Sequence, residues 1–477
     1  MKNVTRRRFL SLIGAGITAA SAGVVMRCTR RNEIKPNILF ILVDDLGKEW
    51  LSCYGGEDIK TPNIDALAAS GMMFTNAYSM PQCTPSRATL LTGTYPWRNG
   101  WVNHWDAPRW GVGYFDWKQR RNTTFATLMK QSGYVTCAAG KWQINDFRLE
   151  PLAMQKHGFD DWCMWTGYEA GNPPSAERYQ DAYAHSKSGS KTYKGEFGPD
   201  VYTDFLIDFM QRNKEKPMCL YFPMALVHTP LVPTPDELDV EDRLGRHKAM
   251  VRYTDKLVGR LVDALEDFGI RERTIIVFST DNGTTRSITG TMNGRKVDGG
   301  KGQKWESGTC APYIVNCPGL TPAGLVTDAL TDFTDLLPTF VDLAGGAIPD
   351  DLKIDGVSIA PVILGKEKDS LRQWIMALGH GPARLDEQGV RGQNDFASRV
   401  LRDKQYKVWI SEEKKIVQLY DLNNDPWEEN DLIESAHTEH KQAIRKFKTV
   451  VDSMPDHDAR PYYKARKANA WDRQFKE

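Results

Sequence analysis

The chain has 477 residues, of which 41% are hydrophobic and 26% are charged, and this composition excludes an intrinsically disordered protein. Its formal net charge of +1 at pH 7 excludes the binding of nucleic acid or another polyanion through overall charge. The length allows about three ordinary domains, or one large α/β unit with a smaller appendage.

The first predicted element is an export signal over residues 1–27. Four cationic residues, Lys2 and residues 6–8, precede a weakly apolar stretch that is rich in Gly, Ala and Ser. Residues 5–10 resemble a twin-arginine signal, and a general secretory signal with a basic start is the alternative. Removal of residues 1–27 takes away five cationic residues and no acidic one, so the net charge changes from +1 to −4.

The export signal predicts a periplasmic or extracellular protein. Its apolar stretch is short and contains many small residues, so we expect no integral membrane span once the signal has been removed. Anchoring through a lipid on Cys28 is the less favoured alternative, because Arg27 stands where a small residue is expected.

Short apolar runs alternate with helical patterns along most of the chain. This alternation predicts an α/β fold in which helices sandwich a large, mainly parallel sheet. Helices are predicted at "TPNIDALAASG", with Thr61 as N-cap and Pro62 in the first turn, and at residues 85–93 and 123–133. Cys137 and Cys219 lie in apolar runs, so we expect buried free thiols there. The main predicted strands are "NILFILVDD", "YVTCAAGKW", "PMCLYFPMALVH" and "TIIVFSTDNG".

The regular alternation is lost from about residue 346. Beyond it, "SRVLRDKQYKVWI" and "IVQLYDL" are typical of an antiparallel pair, and "HTEHKQAIRKFKTVVDSM" is typical of a closing helix. The sequence therefore predicts a large domain over residues 33–345 and a smaller α+β subdomain with a short antiparallel sheet over residues 346–477.

Polar side chains close several of the predicted strands, at the edge where open α/β sheets bind ligands. Each of them alone is also typical of a turn or a helix cap, but several strand ends together predict a cation site beside an anion site. Carboxylate and amide oxygens suit a hard divalent cation, whereas softer metals prefer His or Cys. These strand-end residues are Asp44, Asp45, Lys141, His228, Asp281 and Asn282.

Cys83 opens the segment "CTPSR", which is followed by "ATLLTGTYPWRNG". The segment resembles the signature of the type I sulfatases, in which the cysteine of Cys-x-Pro-x-Arg is converted to formylglycine. The resemblance extends from "PNILFILVDDLG" through "GKW" and "STDNG" to "QLYDLNNDPWEENDL", and so covers nearly the whole mature chain. It implies a sulfuric ester hydrolase whose hydrated aldehyde attacks sulfur, and a host maturation enzyme that makes the aldehyde. An unmodified, reactive Cys83 thiol is the alternative.

The resemblance also assigns roles to the site residues. It implies that Arg87 stabilises residue 83, that Lys141 contacts residue 83 and that Lys301 of "GGKGQKWESG" contacts the sulfate. His228 is implied to protonate the leaving alcohol. The implied ligands of a calcium ion are Asp44, Asp45, Asp281, Asn282 and the modified Cys83.

Two positions depart from the family's pattern. Gln143 stands where the family usually has a histidine, two residues after the lysine of "GKW", and an amide cannot act as a general base. Our hypothesis is that Gln143 orients residue 83 and that another base supports the breakdown of the sulfated enzyme. Ser307 in "KWESG" replaces a glycine, and we expect little effect from this small residue.

The predicted substrate is a sulfated glycan or oligosaccharide. An aromatic and basic loop follows the Cys83 helix, and it either stacks on sugar rings or packs against the body of the protein. His380 and Arg399 either approach the substrate or are structural. A phosphonate or phosphodiester hydrolase and a non-catalytic glycan-binding protein are the alternative functions. The loop contains Trp97, Trp101, His104, Trp105, Arg109, Trp110, Tyr114, Phe115, Trp117 and Lys118.

Overall fold

The computed structural model describes residues 35–104, 115–148, 150–167, 169, 172–379, 385–386, 389–390 and 395–459. The predicted export signal, Cys28, His380 and the polar C-terminal tail lie outside the described residues. Within the described ranges, no helix combines the length and the apolar character that crossing a membrane requires.

The strands belong to one large sheet and several small ones. In chain order they are β1 (Asn37–Val43), β2 (Met72–Phe74), β3 (Ala77–Tyr78), β4 (Val135–Lys141), β5 (Asp161–Trp165), β6 (Tyr183–Ser186), β7 (Gly189–Thr192), β8 (Met218–Pro223), β9 (Thr274–Thr280), β10 (Thr289–Met292), β11 (Arg295–Asp298), β12 (Tyr313–Asn316), β13 (Leu325–Thr327), β14 (Thr331–Asp332), β15 (Ile375–Leu378), β16 (Leu385–Asp386), β17 (Gly389–Val390), β18 (Arg399–Arg402), β19 (Tyr406–Ile410) and β20 (Ile416–Asp421).

Most of the α-helices connect strands of the large sheet along the chain. In chain order they are α1 (Pro62–Ala69), α2 (Cys83–Thr92), α3 (Pro96–Asn99), α4 (Phe125–Gln131), α5 (Ala153–Lys156), α6 (Gly198–Asn213), α7 (Arg243–Asp267), α8 (Glu306–Thr309), α9 (Leu336–Leu343), α10 (Ala360–Ile363) and α11 (Thr438–Asp452).

The large sheet has ten strands in the order β13-β2-β12-β9-β1-β8-β4-β5-β6-β7. Its centre is parallel, since β1 pairs in parallel with both β8 and β9, and β4 pairs in parallel with β8 and β5. Antiparallel pairs occur towards the edges, where β12 contacts β9 and β2, and β6 contacts β5 and β7. The predicted fold class is confirmed.

The central strand β1 is buried on both faces, as its unbroken apolar sequence predicts. Successive side chains of a strand point to opposite faces. Phe40 and its alternate neighbours therefore pack into one hydrophobic core, while Leu39, Ile41 and Val43 pack into the other. Full burial of each such side chain contributes about 1.5–3 kcal/mol relative to its exposure to water.

Helix α2 is buried along its whole length. It begins at Cys83, two residues before the predicted start, so Pro85 lies within the first turn, where its missing N–H removes no intrahelical hydrogen bond. It ends before Gly93, whose φ of +66° lies in the left-handed region and provides the turn out of the helix. The buried position of α2 brings its N-terminus and Cys83 against the sheet.

The C-terminal region contains the four-stranded antiparallel sheet β15-β18-β19-β20, followed by α11. The segment "SRVLRDKQYKVWI" is itself a hairpin of β18 and β19, and not a single strand of a pair. The predicted pairing of its second half with "IVQLYDL" is present as β19 and β20. The small sheet and the closing helix are confirmed, whereas the domain boundary at 345 and 346 stays a prediction.

Candidate active site

Three carboxylates and one amide meet at the carboxyl edge of the large sheet. Asp44 and Asp45 follow β1 directly, and Asp281 and Asn282 follow β9, which pairs in register with β1 up to Val43. All four residues are buried. Asn282 Nδ2 donates to Asp45 Oδ1 at 2.8 Å, and the Asp45 amide donates to Asp281 Oδ1 at 3.2 Å. Parallel pairing of neighbouring strands thus brings together residues more than two hundred positions apart.

Two buried cations neutralise part of this acidic cluster. Arg87 Nη2 lies 2.8 Å from Asp281 Oδ2 and 3.2 Å from Asp44 Oδ2. Lys141, the last residue of β4, brings its Nζ to 2.5 Å from Asp44 Oδ2. The Lys141 carbonyl also accepts a hydrogen bond from Arg87 Nη1 at 2.9 Å. The Arg87 side chain therefore joins helix α2 to the backbone of strand β4 as well as to the carboxylates.

Lys301 and His228 approach the cluster beside Asp45. Lys301 Nζ is 2.7 Å from Asp45 Oδ2, and His228 Nε2 is 3.8 Å from the same oxygen. His228 Nδ1 lies 2.6 Å from the carbonyl oxygen of Thr229. Since a carbonyl can only accept, Nδ1 carries a proton and Nε2 is the nitrogen that faces the site.

Cys83 lies within this group at the N-terminus of α2. Its Sγ and one carboxylate oxygen each of Asp44 and Asp281 all lie within 4.8 Å of one another. His104 Nδ1 is 3.4 Å from the same sulfur. Cys83, Arg87, Lys141, His228 and Lys301 thus lie in one cluster with the other four predicted metal ligands.

Two close backbone approaches position the cluster. A Cβ on Gly140 would lie 2.0 Å from the carbonyl oxygen of Pro223, so only glycine lets β4 approach β8 just before Lys141. A Cβ on Gly283 would lie 1.8 Å from the carbonyl oxygen of Ser307. The segment that carries Lys301 therefore packs directly against the turn that follows Asn282.

The ionisation of the carboxylates is set by burial and by the neighbouring charges. Burial raises the pKa of Asp281 well above its usual range, and the Asp44 carboxylate raises it further. Burial also raises the pKa of Asp45. Burial opposes the ionisation of Asp44 as well, but Lys141, together with other cations, holds the pKa of Asp44 below its usual range. The cluster therefore favours a further positive charge next to Asp45 and Asp281.

The pKa values of the two basic groups beside Asp45 shift in opposite directions. Burial lowers the pKa of His228 well below its usual value, and Lys301 and Lys141 lower it further. Burial opposes the charge of Lys301 too, but the Asp45 carboxylate outweighs it and raises the pKa of Lys301. Without a ligand at the site, Lys301 is therefore charged and His228 neutral at pH 7.

The oxygen atoms of the cluster fit a hard cation. Among the described residues, Oδ1 of Asp44 and Oδ1 of Asn282 have no hydrogen-bond partner although both residues are fully buried. A buried oxygen without a donor costs about 1–3 kcal/mol unless an ion or water satisfies it. Two unpartnered oxygens beside two further carboxylates are the ligand set that a divalent cation such as calcium takes.

Sequence reasoning missed the contact between His104 and Cys83 and two residues that support the Asp44–Asp45 turn. Thr284 Oγ1 accepts a hydrogen bond from the Gly47 amide at 2.9 Å and donates one to the buried Glu49 carboxylate. No motif links these positions, since Thr284 and Glu49 are 235 residues apart. The available signal for Thr284 is its position, because it is a polar residue directly after Gly283 in "DNGT".

The structure also shows where several other residues that the sequence singles out lie. Arg399 is fully buried and forms an ion pair with Asp458 at 2.7 Å, so the structure supports the structural alternative for Arg399. In the aromatic loop, Trp101 and Phe115 are buried and pack edge to face. Cys137 and Cys219 are buried free thiols, as predicted. His380 lies outside the described residues, as do Trp105, Arg109, Trp110 and Tyr114 of the loop.

Comparison with known proteins agrees with this geometry. The profile of the Sulfatase family matches residues 36–347, and that of the C-terminal region of N-sulphoglucosamine sulphohydrolase matches residues 301–454. The chain is 34% identical over 383 residues to an N-acetylgalactosamine-6-sulfatase of Canis lupus familiaris, covering 75% of this chain and 70% of that protein. It is 27% identical over 523 residues to an N-acetylgalactosamine-6-O-sulfatase of Bacteroides thetaiotaomicron, covering 95% and 99%.

Among solved structures, the chain is similar to Ps i-CgsB in complex with k-i-k-neocarrahexaose. The TM-score is 0.73 and the sequence identity is 27%, with coverage of 87% of this chain and 93% of the other. The fold and the site together define an α/β enzyme whose acidic and basic groups meet at one sheet edge. The chain belongs to the sulfatase family, and it is a sulfuric ester hydrolase.

Proposed function

We propose that this protein is an exported sulfatase that hydrolyses a sulfate ester of a sulfated glycan or oligosaccharide. The observation that carries the proposal is the position of Cys83 beside two carboxylates and among three cationic side chains. The names of its relatives support the substrate class, because two of them are N-acetylgalactosamine-6-sulfatases and one solved structure contains a neocarrahexaose.

The cationic side chains bind and orient the sulfate ester. The Lys301 side chain is 21% exposed and its Nζ lies beside Asp45, so Nζ can donate to a sulfate oxygen that enters from solvent. Lys141 Nζ donates to Asp44 Oδ2, which lies close to residue 83. Arg87 keeps its charge at every relevant pH, and its ion pairs with Asp44 and Asp281 fix the start of α2.

His228 delivers the proton to the leaving alcohol, after its Nε2 has taken up a proton when the anionic sulfate ester binds beside the neutral imidazole. The hydrogen bond from Nδ1 to Thr229 fixes the ring so that Nε2 faces Asp45 and the site. A sugar alkoxide is a poor leaving group, and a positioned acid that protonates it contributes about 100-fold to 10,000-fold to the rate.

Residue 83 and the acidic cluster would carry two groups that the family implies. Formylglycine formed from Cys83 by a host maturation enzyme would supply a hydrated aldehyde, whose hydroxyl would be the nucleophile towards sulfur. Asp44, Asp45, Asp281, Asn282 and residue 83 would hold a calcium ion, which would supply positive charge for the sulfate oxygens. The carboxylates themselves repel an anionic substrate. Sulfate binding would therefore depend on a cation held by Asp44 Oδ1 and Asn282 Oδ1, which have no hydrogen-bond donor among the described residues.

Mass spectrometry and a substrate screen test the proposal. The protein is expressed with a formylglycine-generating enzyme, and the mass of the peptide that contains residue 83 shows whether CH2SH has become CHO. Sulfate release is then measured from N-acetylgalactosamine 6-sulfate, N-acetylglucosamine 6-sulfate, sulfated galactose oligosaccharides and 4-nitrophenyl sulfate, with Cys83→Ala as the control. We expect release by the converted protein alone. Conversion without release from any of these esters would contradict the proposal, and hydrolysis of bis(4-nitrophenyl) phosphate instead would favour the phosphodiesterase alternative.

Removal of the cation tests the calcium assignment. Dialysis of the converted protein against EGTA is expected to abolish turnover and to lower the unfolding midpoint, because the carboxylates then repel each other. Calcium at about 100 times its dissociation constant stabilises the folded state by about 2.7 kcal/mol and should restore both. The Asp281→Asn variant is the control, since it should lose most of the calcium-dependent shift. An unfolding midpoint of the wild-type protein that changes with neither EGTA nor calcium would rule out the ion.

A further inference from the structure

His104 lies against the residue that carries the proposed chemistry. Its Nδ1 is 3.4 Å from Cys83 Sγ and 3.2 Å from Thr84 Oγ1. Cys83 and Thr84 are the first two residues of α2 and are fully buried, whereas the imidazole of His104 is partly exposed. A nitrogen of a partly exposed imidazole therefore lies beside the buried residue 83.

The chain before His104 is anchored in the core. Trp101 and Val102 are almost completely buried, and the Trp101 ring packs against Phe115 with the ring centroids 5.8 Å apart. The Trp101 amide donates to Asn99 Oδ1 at 2.8 Å. The contact between His104 and Cys83 therefore comes from a fixed backbone segment.

Gln143 cannot supply a base at residue 83. It is 5% exposed, and its Oε1 has no hydrogen-bond partner among the described residues. An amide offers hydrogen bonds but has no nitrogen lone pair that takes up a proton near neutral pH. Arg87 stays protonated, and Lys141 Nζ donates to Asp44 Oδ2, so neither of these neighbours offers a lone pair.

We propose that His104 is the proton acceptor for residue 83, in place of the histidine that the sequence lacks at position 143. The inference rests on the proposed sulfatase function. Nδ1 of His104 takes the proton of the free hydroxyl on the sulfated residue 83. The electron pair of that O–H bond forms the aldehyde C=O bond. The C–O bond to the sulfate group breaks, and its electron pair leaves with sulfate, so neutral imidazole becomes imidazolium as the sulfate monoester becomes the free dianion.

The test compares His104→Gln with the double variant His104→Gln, Gln143→His. Glutamine keeps hydrogen bonding at position 104 but cannot accept the proton, and histidine at 143 restores a base there. Formylglycine content is measured for each preparation, and turnover of 4-nitrophenyl sulfate and N-acetylgalactosamine 6-sulfate is expressed per converted protein. We expect kcat to fall about 100-fold or more in the single variant and to recover at least about ten-fold in the double variant. His440→Gln, which removes an imidazole on α11, should match wild type.

A second measurement follows the breakdown of the sulfated residue 83 instead of the steady-state rate. After brief incubation with substrate and an acid quench, the peptide of residue 83 should keep the mass of one SO3 group in His104→Gln, whereas wild type should not accumulate it. An unchanged kcat in His104→Gln would overturn the assignment to His104 while leaving the sulfatase function intact. A low kcat without the retained SO3 group would do the same. A converted wild-type protein that releases no sulfate would overturn both.

Discussion

At the scale of single residues, His228 shows how one hydrogen bond selects a function. The donor bond from Nδ1 to the Thr229 carbonyl leaves only Nε2 for the site. Tyr179 holds the same turn, because its hydroxyl shares its single proton between the carbonyl oxygens of Ala225 and His228. The ring is therefore oriented by backbone groups and not by the carboxylates that it approaches.

The proposed role of His228 predicts a dependence on the leaving group. In His228→Asn, kcat for N-acetylgalactosamine 6-sulfate should fall about 100-fold or more, because the sugar oxygen then leaves without a proton. For 4-nitrophenyl sulfate the fall should stay below about ten-fold, since nitrophenolate leaves readily as an anion. Steady-state kinetics on both esters checks this, with equal formylglycine content in both proteins. An equal loss on the two substrates would show that His228 has another role.

At the scale of elements, helix α8 is joined to the small sheet by ion pairs between a partly buried carboxylate and two buried cations. Glu306 Oε1 is 3.0 Å from Lys407 Nζ, and Oε2 is 3.2 Å from Arg402 Nη1. Lys407 is fully buried and also lies 2.9 Å from Glu428. Because α8 closely follows Lys301 in the chain, strands β18 and β19 support the segment that reaches the active site.

This network predicts a pH-dependent contribution to stability. Burial alone would raise the pKa of Glu306, but Lys407 and Arg402 outweigh it and lower the pKa from 4.5 to about 2. The ionised carboxylate therefore stabilises the fold fully above pH 4.5, and this stabilisation is lost as the pH falls towards 2. Glu306→Gln should lower the free energy of unfolding by about 3 kcal/mol at pH 7, and the difference should narrow below pH 4.5.

Denaturant titrations at several pH values measure this difference. Glu429→Gln is the matched control, because Glu429 pairs with Arg295 at the exposed surface and should contribute less than about 1 kcal/mol. A difference for Glu306→Gln that stays constant from pH 7 to pH 3 would contradict the assignment.

At the scale of the whole molecule, the small sheet shares a hydrophobic core with the region before residue 345. Met80, Tyr95 and Val102 pack in one buried cluster with side chains of β15, β18, β19 and α11, including Leu378 and Phe447. Arg372 adds a buried ion pair with Asp335 at 2.6 Å. The residues on the two sides of the predicted boundary therefore bury each other's apolar surface.

The shared core predicts that the large domain does not fold alone. A fragment of residues 35–345 would expose Met80, Tyr95 and Val102 to water, at a cost of about 1.5–3 kcal/mol for each large side chain. We expect circular dichroism to show no cooperative thermal transition for this fragment, whereas residues 35–477 should unfold cooperatively. A sharp transition in the shorter fragment would show that residues 346–477 form an independent unit.

The sequence by itself determined the α/β class, the strand ends and the sulfatase motif, because these features are local. An apolar run that ends in "DD" or "DN" carries both its burial and its polar edge within about ten residues, and parallel strands bring such edges together. Only the tertiary structure decided that His104 contacts Cys83, that Glu306 pairs with Lys407 and that "SRVLRDKQYKVWI" folds into a hairpin. The physical reason is that periodicity records which face of a segment is buried, whereas the partner across the interface depends on how distant segments pack.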